Sequence, residues 1–389
     1  EIEPVPPAAF QRFLFAWQGL GAGERRKGAE ALAAILDQLE GFEAPAAAWE
    51  SEILPARLDE YQPGWLDSLC QAGRYAWGRL TAPPPTDSRR SGPIRTTPIA
   101  LVSRTRLPLW RAIATGAPEP PRLGASAAAL LAQLERRGAS FFAELVAAEG
   151  MLATEAEAAL GELAAWGLVT SDAFSGLRAL LTPAERRPAP GEAPRRRRHG
   201  AFGMDSAGRW SLLRGGMGMA GSALTAGPEA EAIAAVLLRR YGVVFRRALE
   251  REGVLPPWRD LLRVFRRLEA RGEIRGGRFV DGFTGEQYAL PEAVGRLRAI
   301  RKQPARGDLV AVSAADPAHL VCVPVPWERI AALAGNRVLY RDGEPIAVRE
   351  RKVERLFVTL DPAQEWEARA ALRGRRVAPA VRAYLKARR

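Results

Sequence analysis

Seven arginines between positions 259 and 278 are the residues of this sequence whose type and spacing point most directly to chemistry. Over residues 258–271, Trp258, Leu261, Leu262, Phe265 and Leu268 recur at helical spacing and leave Arg259, Arg263, Arg266 and Arg267 on the opposite side. Arg271 closes that stretch, and Arg275 and Arg278 follow on what reads as a short hairpin. A guanidinium fork binds phosphate in bidentate fashion and can read guanine edges, so this set is what a groove-binding helix with a basic wing carries. A solvated arginine face is the plainer reading of the same pattern. A second run, Arg195, Arg196, Arg197 and Arg198, is either a salt-sensitive, sequence-independent phosphate contact or a solvated linker.

Base excision would need a carboxylate or amide to place water near an extruded nucleotide. Asp281, Glu286 and Asp316 lie near turns after basic strands, and their spacing singles none of them out. The nucleotide-cradling stretch Gly-x-x-x-x-Gly-Lys-Ser/Thr is absent, as are a strand-to-helix Gly-x-Gly-x-x-Gly and His-Glu-x-x-His, so ATP hydrolysis by these residues is not expected. Cys70 and Cys322 are the only cysteines and His199 and His319 the only histidines. That leaves nothing for a disulfide framework or a cysteine-rich zinc site, and no metal or cofactor is expected. No stretch nears the ~18 consecutive apolar residues of a membrane span and no signal peptide opens the chain. A cytoplasmic protein without membrane contact is expected, and the start at Glu1 reads as a piece cut from a longer chain.

The formal charge of +13 is unevenly placed. Residues 1–115 carry 13 basic and 13 acidic side chains, residues 116–183 carry 4 and 8, and residues 184–389 carry 40 and 23. Only four of the basic residues are lysines, a bias that a GC-rich genome also produces, but codon usage does not place charge. A basic second half behind a neutral-to-acidic front points to a polyanion at one end only, and nucleic acid is the expected partner.

These arginines need elements to position them, and 389 residues are too many for one ordinary domain. Three segments share an order of helix, short helix, longer helix, glycine stop and two strands. Gly73, Gly167 and Gly272 each follow an apolar pair at helical spacing: Leu66 and Leu69, Leu160 and Leu163, Phe265 and Leu268. Phe141 and Phe245 lie 26 and 27 residues before their glycines, which marks a repeat. The return strands are read at 177–181 in the second segment and at 278–280 in the third, with residues 283–290 beyond it. The third helices of the first two segments carry Asp59, Glu60 and Asp67, and Glu155, Glu157 and Glu162, which repel phosphate and read as scaffold. The expected fold is α+β: a winged-helix-like unit with an extended wing at 1–114, a winged-helix unit at 125–182 and a Pro/Arg/Gly-rich linker at 183–227. A basic winged-helix unit at 228–300, a small β-barrel or sheet at 306–360 and a basic C-terminal helix at 361–389 follow. Within the linker, residues 208–213 read as a short strand pinned by Trp210, and Asp342-Gly343 reads as a type I′ hairpin turn.

Several strings resemble one family. Residues 10–18 (Phe-Gln-Arg-Phe-Leu-Phe-Ala-Trp-Gln), 39–50, 76–80, 240–245, 268–280 and 312–317 (Val-Ser-Ala-Ala-Asp-Pro) are similar to the C-terminal region of Lhr-type large DNA helicases. The resemblance implies a superfamily 2 helicase whose ATPase lobes lie in an N-terminal core, followed by tandem winged helices and a β-barrel associated with oligomerisation. It also implies a fold similar to AlkZ-class DNA glycosylases, and uracil excision as an alternative activity. The implied partners are DNA, the helicase core of the same polypeptide and further copies of the chain; a winged-helix transcription regulator is the weaker alternative. Many relatives have a histidine after the Trp-Gln pair where this sequence has Gly19, and the Gln-x-Gln or Gln-x-Asp pairs of AlkZ-like enzymes have no convincing counterpart.

Overall fold

The glycine-stopped pattern recurs in a computed structural model, which describes residues 3–21, 23–81, 83, 94–114, 123–182, 203–213, 227–320, 330–373 and 378–385. After α1 (Pro7–Trp17), the first repeat runs α2 (Ala29–Leu39), β1 (Ala44–Pro45), a π-helical turn Trp49–Ile53 leading into α3 (Leu54–Arg57), α4 (Pro63–Gln71), β2 (Tyr75–Gly78) and β3 (Pro98–Ser103). Pro55 and Pro63 stand in the first turns of α3 and α4, and at Pro63, which follows an extended Gln62, the missing N–H costs nothing. Following α5 (Leu107–Ile113), the second repeat has α6 (Ala125–Arg137), β4 (Ser140–Phe141), α7 (Phe142–Glu149), α8 (Ala153–Ala165), β5 (Val169–Ser171), α9 (Phe174–Leu181) and β6 (Arg209–Leu212). The third has α10 (Pro228–Tyr241), β7 (Val243–Val244), a 3₁₀ turn Arg246–Leu249, α11 (Trp258–Ala270), β8 (Arg275–Gly277) and β9 (Gln287–Ala289), with α12 (Pro291–Lys302) after it. Each repeat forms a three-stranded antiparallel sheet in which the last strand lies between the other two: β1-β3-β2, β4-β6-β5 and β7-β9-β8. Gly73, Gly167 and Gly272 follow their helices at φ of +72°, +69° and +77°, the left-handed geometry that ends a helix without a Cβ penalty.

Two return strands differ from the expectation. Residues 177–181 are helical, within α9, and the strand that closes the second sheet is β6, pinned by the fully buried Trp210. In the third repeat the return strand is β9, inside the stretch 283–290, and residues 278–280 contribute only a bridge between Val280 and Val5. Beyond α12 come β10 (Leu309–Ser313), β11 (Arg337–Arg341), β12 (Glu344–Glu350), β13 (Val353–Leu356), α13 (Pro362–Arg373) and α14 (Pro379–Leu385). The strands form an open antiparallel meander, β10-β11-β12-β13, so among the described residues there is a sheet and no closed barrel. Asp342 and Gly343 both have positive φ, as the type I′ turn between β11 and β12 requires. The single expected tail helix is two helices, and Pro379 opens the second.

The chain divides into two compact units. The first comprises Glu1–Leu39, Glu52–Asp59 and Leu224–Arg376; the second comprises Glu40–Ser51, Glu60–Ala223 and Val377–Arg389. The division runs through residues 1–114: α2 counts with the first unit, and the β1-β3-β2 sheet with the second.

In the first unit, α13 covers the meander through Ala368 and Leu372 against Leu339, Ile346 and Ala347. An aromatic chain, Phe13 to Phe10 to Phe245 to Phe283, joins α1 to the third repeat at centroid separations of 5.9, 5.6 and 4.9 Å. Residues 314–320, an irregular segment after β10, are buried, so their backbone groups need internal partners. Arg251 supplies three, donating to the carbonyls of Ala314, Asp316 and His319, and Gln11 donates to that of Ala318 at 2.7 Å. Arg57 forks onto both Asp316 oxygens at 2.7 and 2.8 Å and also donates to Gln18 Oε1 and the Ile53 carbonyl.

His319 Nδ1 lies 2.6 Å from the Tyr340 hydroxyl. Burial, with the nearby Arg251 cation, pushes its imidazole down to about 3, so the ring is neutral in the folded chain. The unfolded chain takes up that proton near pH 6.5, so this contribution to stability is complete above pH 6.5 and is lost as pH falls toward 3. Each pH unit in that window removes about 1.4 kcal/mol. Urea midpoints at pH 7, 5.5 and 4.5 should fall more steeply for the wild-type chain than for His319→Gln, and parallel slopes would refute the assignment.

In the second unit, Trp77 and Trp210 pack edge to face at 6.0 Å across the seam of β2 and β6. Glu40 is fully buried and is held by Arg106 and by Trp110 Nε1 at 3.2 Å. Arg178 of α9 forks onto Glu50 at 2.8 and 2.9 Å and reaches the Pro63 carbonyl at 3.0 Å and Asp67. Tyr61 and Tyr384 both donate to the same Glu50 carboxylate. Arg95 donates to the carbonyls of Tyr384 and Leu385 at the end of α14.

Candidate nucleic-acid interface

α11 forms because one side of it is apolar and the other is not. Leu261, Val264, Phe265 and Leu268 are buried, Phe265 stacks on Tyr288 at 5.2 Å, and Trp258 leans on Phe265 at 6.1 Å. Asp260 lies in its first turn and Arg267 in its last, each favourable to the helix dipole. Arg259, Arg263, Arg266, Arg267 and Arg271 are all exposed along the remaining face, and Arg275 and Arg278 are exposed on the wing. The helix thus brings five of the sequence candidates onto one surface, and the hairpin adds two. Arg195, Arg196, Arg197 and Arg198 lie outside the described residues.

The arginines differ in what already holds them. Arg263 Nη1 is 3.0 Å from Asp260 Oδ1 on the same helix, and Arg259 is 3.9 Å from that oxygen with its side chain 79% exposed. Arg266 forks onto Glu286 of the wing, Nη2 to Oε1 at 2.6 Å and Nε to Oε2 at 3.3 Å. Arg271 is shared by Glu273, at 2.6 Å, and Glu231 of α10, which also lies 4.0 Å from Arg267. These guanidinium contacts hold the Glu286 and Glu231 carboxyls below the usual carboxylate range. Among the described residues Arg275 and Arg278 have no ion-pair partner. Neither does Arg246, an exposed arginine just after β7 that the helical pattern passed over because it sits in a single 3₁₀ turn.

The wing is anchored at its base. The buried Gln287 side chain accepts from the amides of Phe279 and Val280 and donates to the Val280 carbonyl, all within 2.8–2.9 Å. Val5 extends that edge, donating to the Phe279 carbonyl and accepting from the Asp281 amide. With Phe283 folded onto Phe245, the hairpin is rigidly based and presents Arg275 and Arg278 outward.

The three candidate carboxylates fall apart. Asp316 is 1% exposed and bound on both oxygens by Arg57, so it is not placed to activate water. Glu286 is taken by Arg266 and by the Tyr288 hydroxyl at 2.7 Å. Of the three, Asp281 alone is exposed without a side-chain ion pair among the described residues, in the wing loop just past the Val5 bridge. In the other repeats Asp59 and Glu60 precede α4 rather than sit on it, because Pro63 starts that helix. Asp67 is turned to Arg178, and Glu155 and Glu162 bind Ser126 and the Gly124 amide. Burial pushes the Cys70 thiol up to about 12, which leaves it without thiolate character. Among the described residues no group of three potential metal ligands gathers and no helix is long and apolar enough to cross a membrane.

Two family models, each described as large helicase-related protein, winged-helix domain, match residues 5–102 and 223–309, ranges that contain the first and third repeats. The chain is 30% identical over 376 residues to the "Lhr helicase/ probable uracil glycosylase" of Mycolicibacterium smegmatis, covering 90% of this chain and 24% of that protein. It is 28% identical over 330 residues to the "Lhr helicase/uracil glycosylase" of Escherichia coli K12, covering 77% of this chain and 20% of that one. The chain therefore spans a quarter or less of the curated relatives it matches. Two winged-helix matches in one chain, on repeats with one topology, make it part of the C-terminal region of an Lhr protein, and it belongs to the large helicase-related family.

Proposed function

We propose that the chain is a DNA-binding and assembly module of an Lhr-type ATP-dependent helicase acting in DNA repair. Its third repeat is the DNA reader, and its other repeats are scaffold that joins the helicase core and further copies of the chain. The observation that carries this reading is the gathering of Arg259, Arg263, Arg266, Arg267 and Arg271 on the exposed face of α11, beside Arg275 and Arg278 on an anchored wing. In a winged helix that face meets the groove and the wing meets the backbone. The third helices of the other two repeats carry carboxylates instead, which accounts for one reader among three similar modules.

The double substitution Arg263→Ala with Arg267→Ala tests the assignment by salt titration on duplex DNA. Each lost phosphate contact lowers the slope of log K against log salt by about 0.9, so the pair should lower it by roughly two while the fold is kept. A slope equal to that of the wild-type chain would sink the assignment.

Uracil excision is the second reading, carried by the names of the two relatives. Incubation with uracil-containing duplex and single strands, followed by alkali, reads it directly. Among Asp281, Glu286 and Asp316, only Asp281 is free to reach a substrate.

A further inference from the structure

Two arginines of α11 already hold carboxylates in the geometry they would use for phosphate. Arg266 grips Glu286 with two nitrogens on two oxygens, and Arg271 holds Glu231 through Nη1 and Nη2 on its two oxygens. The same planar fork fits a carboxylate and a phosphate alike. Both acids come from elements flanking the helix, Glu231 from α10 and Glu286 from the strand side of the wing. Neither pair is needed to seat α11, whose attachment is the buried row Leu261, Val264, Phe265 and Leu268. The pairs are exposed, and exposed pairs contribute only about 0–1 kcal/mol, so a polyanion can displace them.

We propose that Glu286 and Glu231 occupy backbone-phosphate positions on the α11 face and compete with DNA for Arg266 and Arg271, thereby setting how tightly this face binds. The proposal rests on the reading of α11 as the DNA reader. On binding, a phosphate oxygen pair replaces the carboxylate on each fork, and the released glutamate turns to solvent. Glu286 keeps the Tyr288 hydroxyl as a partner on either side of the exchange.

The test is a set of duplex affinities across salt for the wild-type chain, Glu286→Gln, Glu231→Gln, Arg266→Ala, and Arg266→Ala combined with Glu286→Gln. Each glutamine variant should bind more tightly and with a slope steeper by about 0.9, which amounts to about an eightfold larger gain at 0.1 M than at 1 M salt. The gain from Glu286→Gln should vanish in the Arg266→Ala background, because the competition needs the fork. A gain that survives there would be a general field effect and would overturn the proposal. So would glutamine variants that bind as the wild-type chain does. If the wild-type chain binds DNA but Arg266→Ala, and the double substitution Arg263→Ala with Arg267→Ala, leave both affinity and slope unchanged, the reading of α11 itself fails, a pattern distinct from either of the others.

Discussion

Arg57→Ala is expected to destabilise the first unit by about 3–5 kcal/mol. The substitution leaves the Asp316 carboxylate buried without its counter-charge, with only the Ala318 amide, 2.8 Å away, still donating to it. It also removes the donor to Gln18 Oε1 and to the Ile53 carbonyl. A buried segment such as 314–320 tolerates its irregular backbone only while Arg57, Arg251 and Gln11 satisfy it, so the loss should be felt along β10 and β11. Hydrogen exchange there should speed up together with the fall in urea midpoint. Replacing both partners, Arg57→Met with Asp316→Leu, should recover most of the loss, because an apolar pair of similar size needs no counter-charge. Asp316→Asn separates this role from catalysis: it should lower stability, and any excision activity should fall only with the folded fraction. A stable Asp316→Asn chain would contradict the account.

How much of this was legible in the sequence depends on how far apart the interacting residues lie. The third helices of the second and third repeats were readable because a 3.6-residue period over 13 residues is a strong signal, and α11 has the plainest one, apolar on one side and arginine on the other. The glycine stops were readable for the same local reason. The strands β1, β4 and β7 were not, since two residues carry no alternation, yet they place the last strand of each sheet in the middle. Residues 174–181 read as turn and strand because a short apolar run does not distinguish strand from buried helix. In the structure all eight residues are buried, so α9 has no polar face to reveal it. On the candidate site, the arginine positions were legible and their partners were not. Glu286 lies 20 residues from Arg266 and Glu231 lies 40 from Arg271, separations at which no helical or hairpin rule applies. Asp316 read as an available carboxylate because the cation that locks it is 259 positions away.

The same blindness hid Arg178, and its removal has the second large expected effect. Read as one residue of a return strand, Arg178 is instead a fully buried guanidinium that meets Glu50, 128 positions earlier. Arg178→Ala should cost the second unit about 3–5 kcal/mol, because it breaks a buried pair and leaves Glu50 with two tyrosine hydroxyls as its side-chain partners. Burial and the Glu50 charge push both hydroxyls, Tyr61 and Tyr384, well above their ordinary range, so both stay protonated as neutral donors, and a neutral hydroxyl supplies no counter-charge. Arg178→Lys should restore little, since an ammonium cannot span both Glu50 oxygens, the Pro63 carbonyl and Asp67 at once. Tyr384→Phe removes one hydrogen bond to a charged group and should cost about 1.5–3 kcal/mol. It loosens α14 as well, because Tyr384 is the side chain by which that helix reaches Glu50. Urea midpoints should therefore rank the wild-type chain above Tyr384→Phe, and Tyr384→Phe above Arg178→Lys and Arg178→Ala. An Arg178→Ala chain as stable as Tyr384→Phe would mean that the buried ion pair is not what holds α9 and α14 in place.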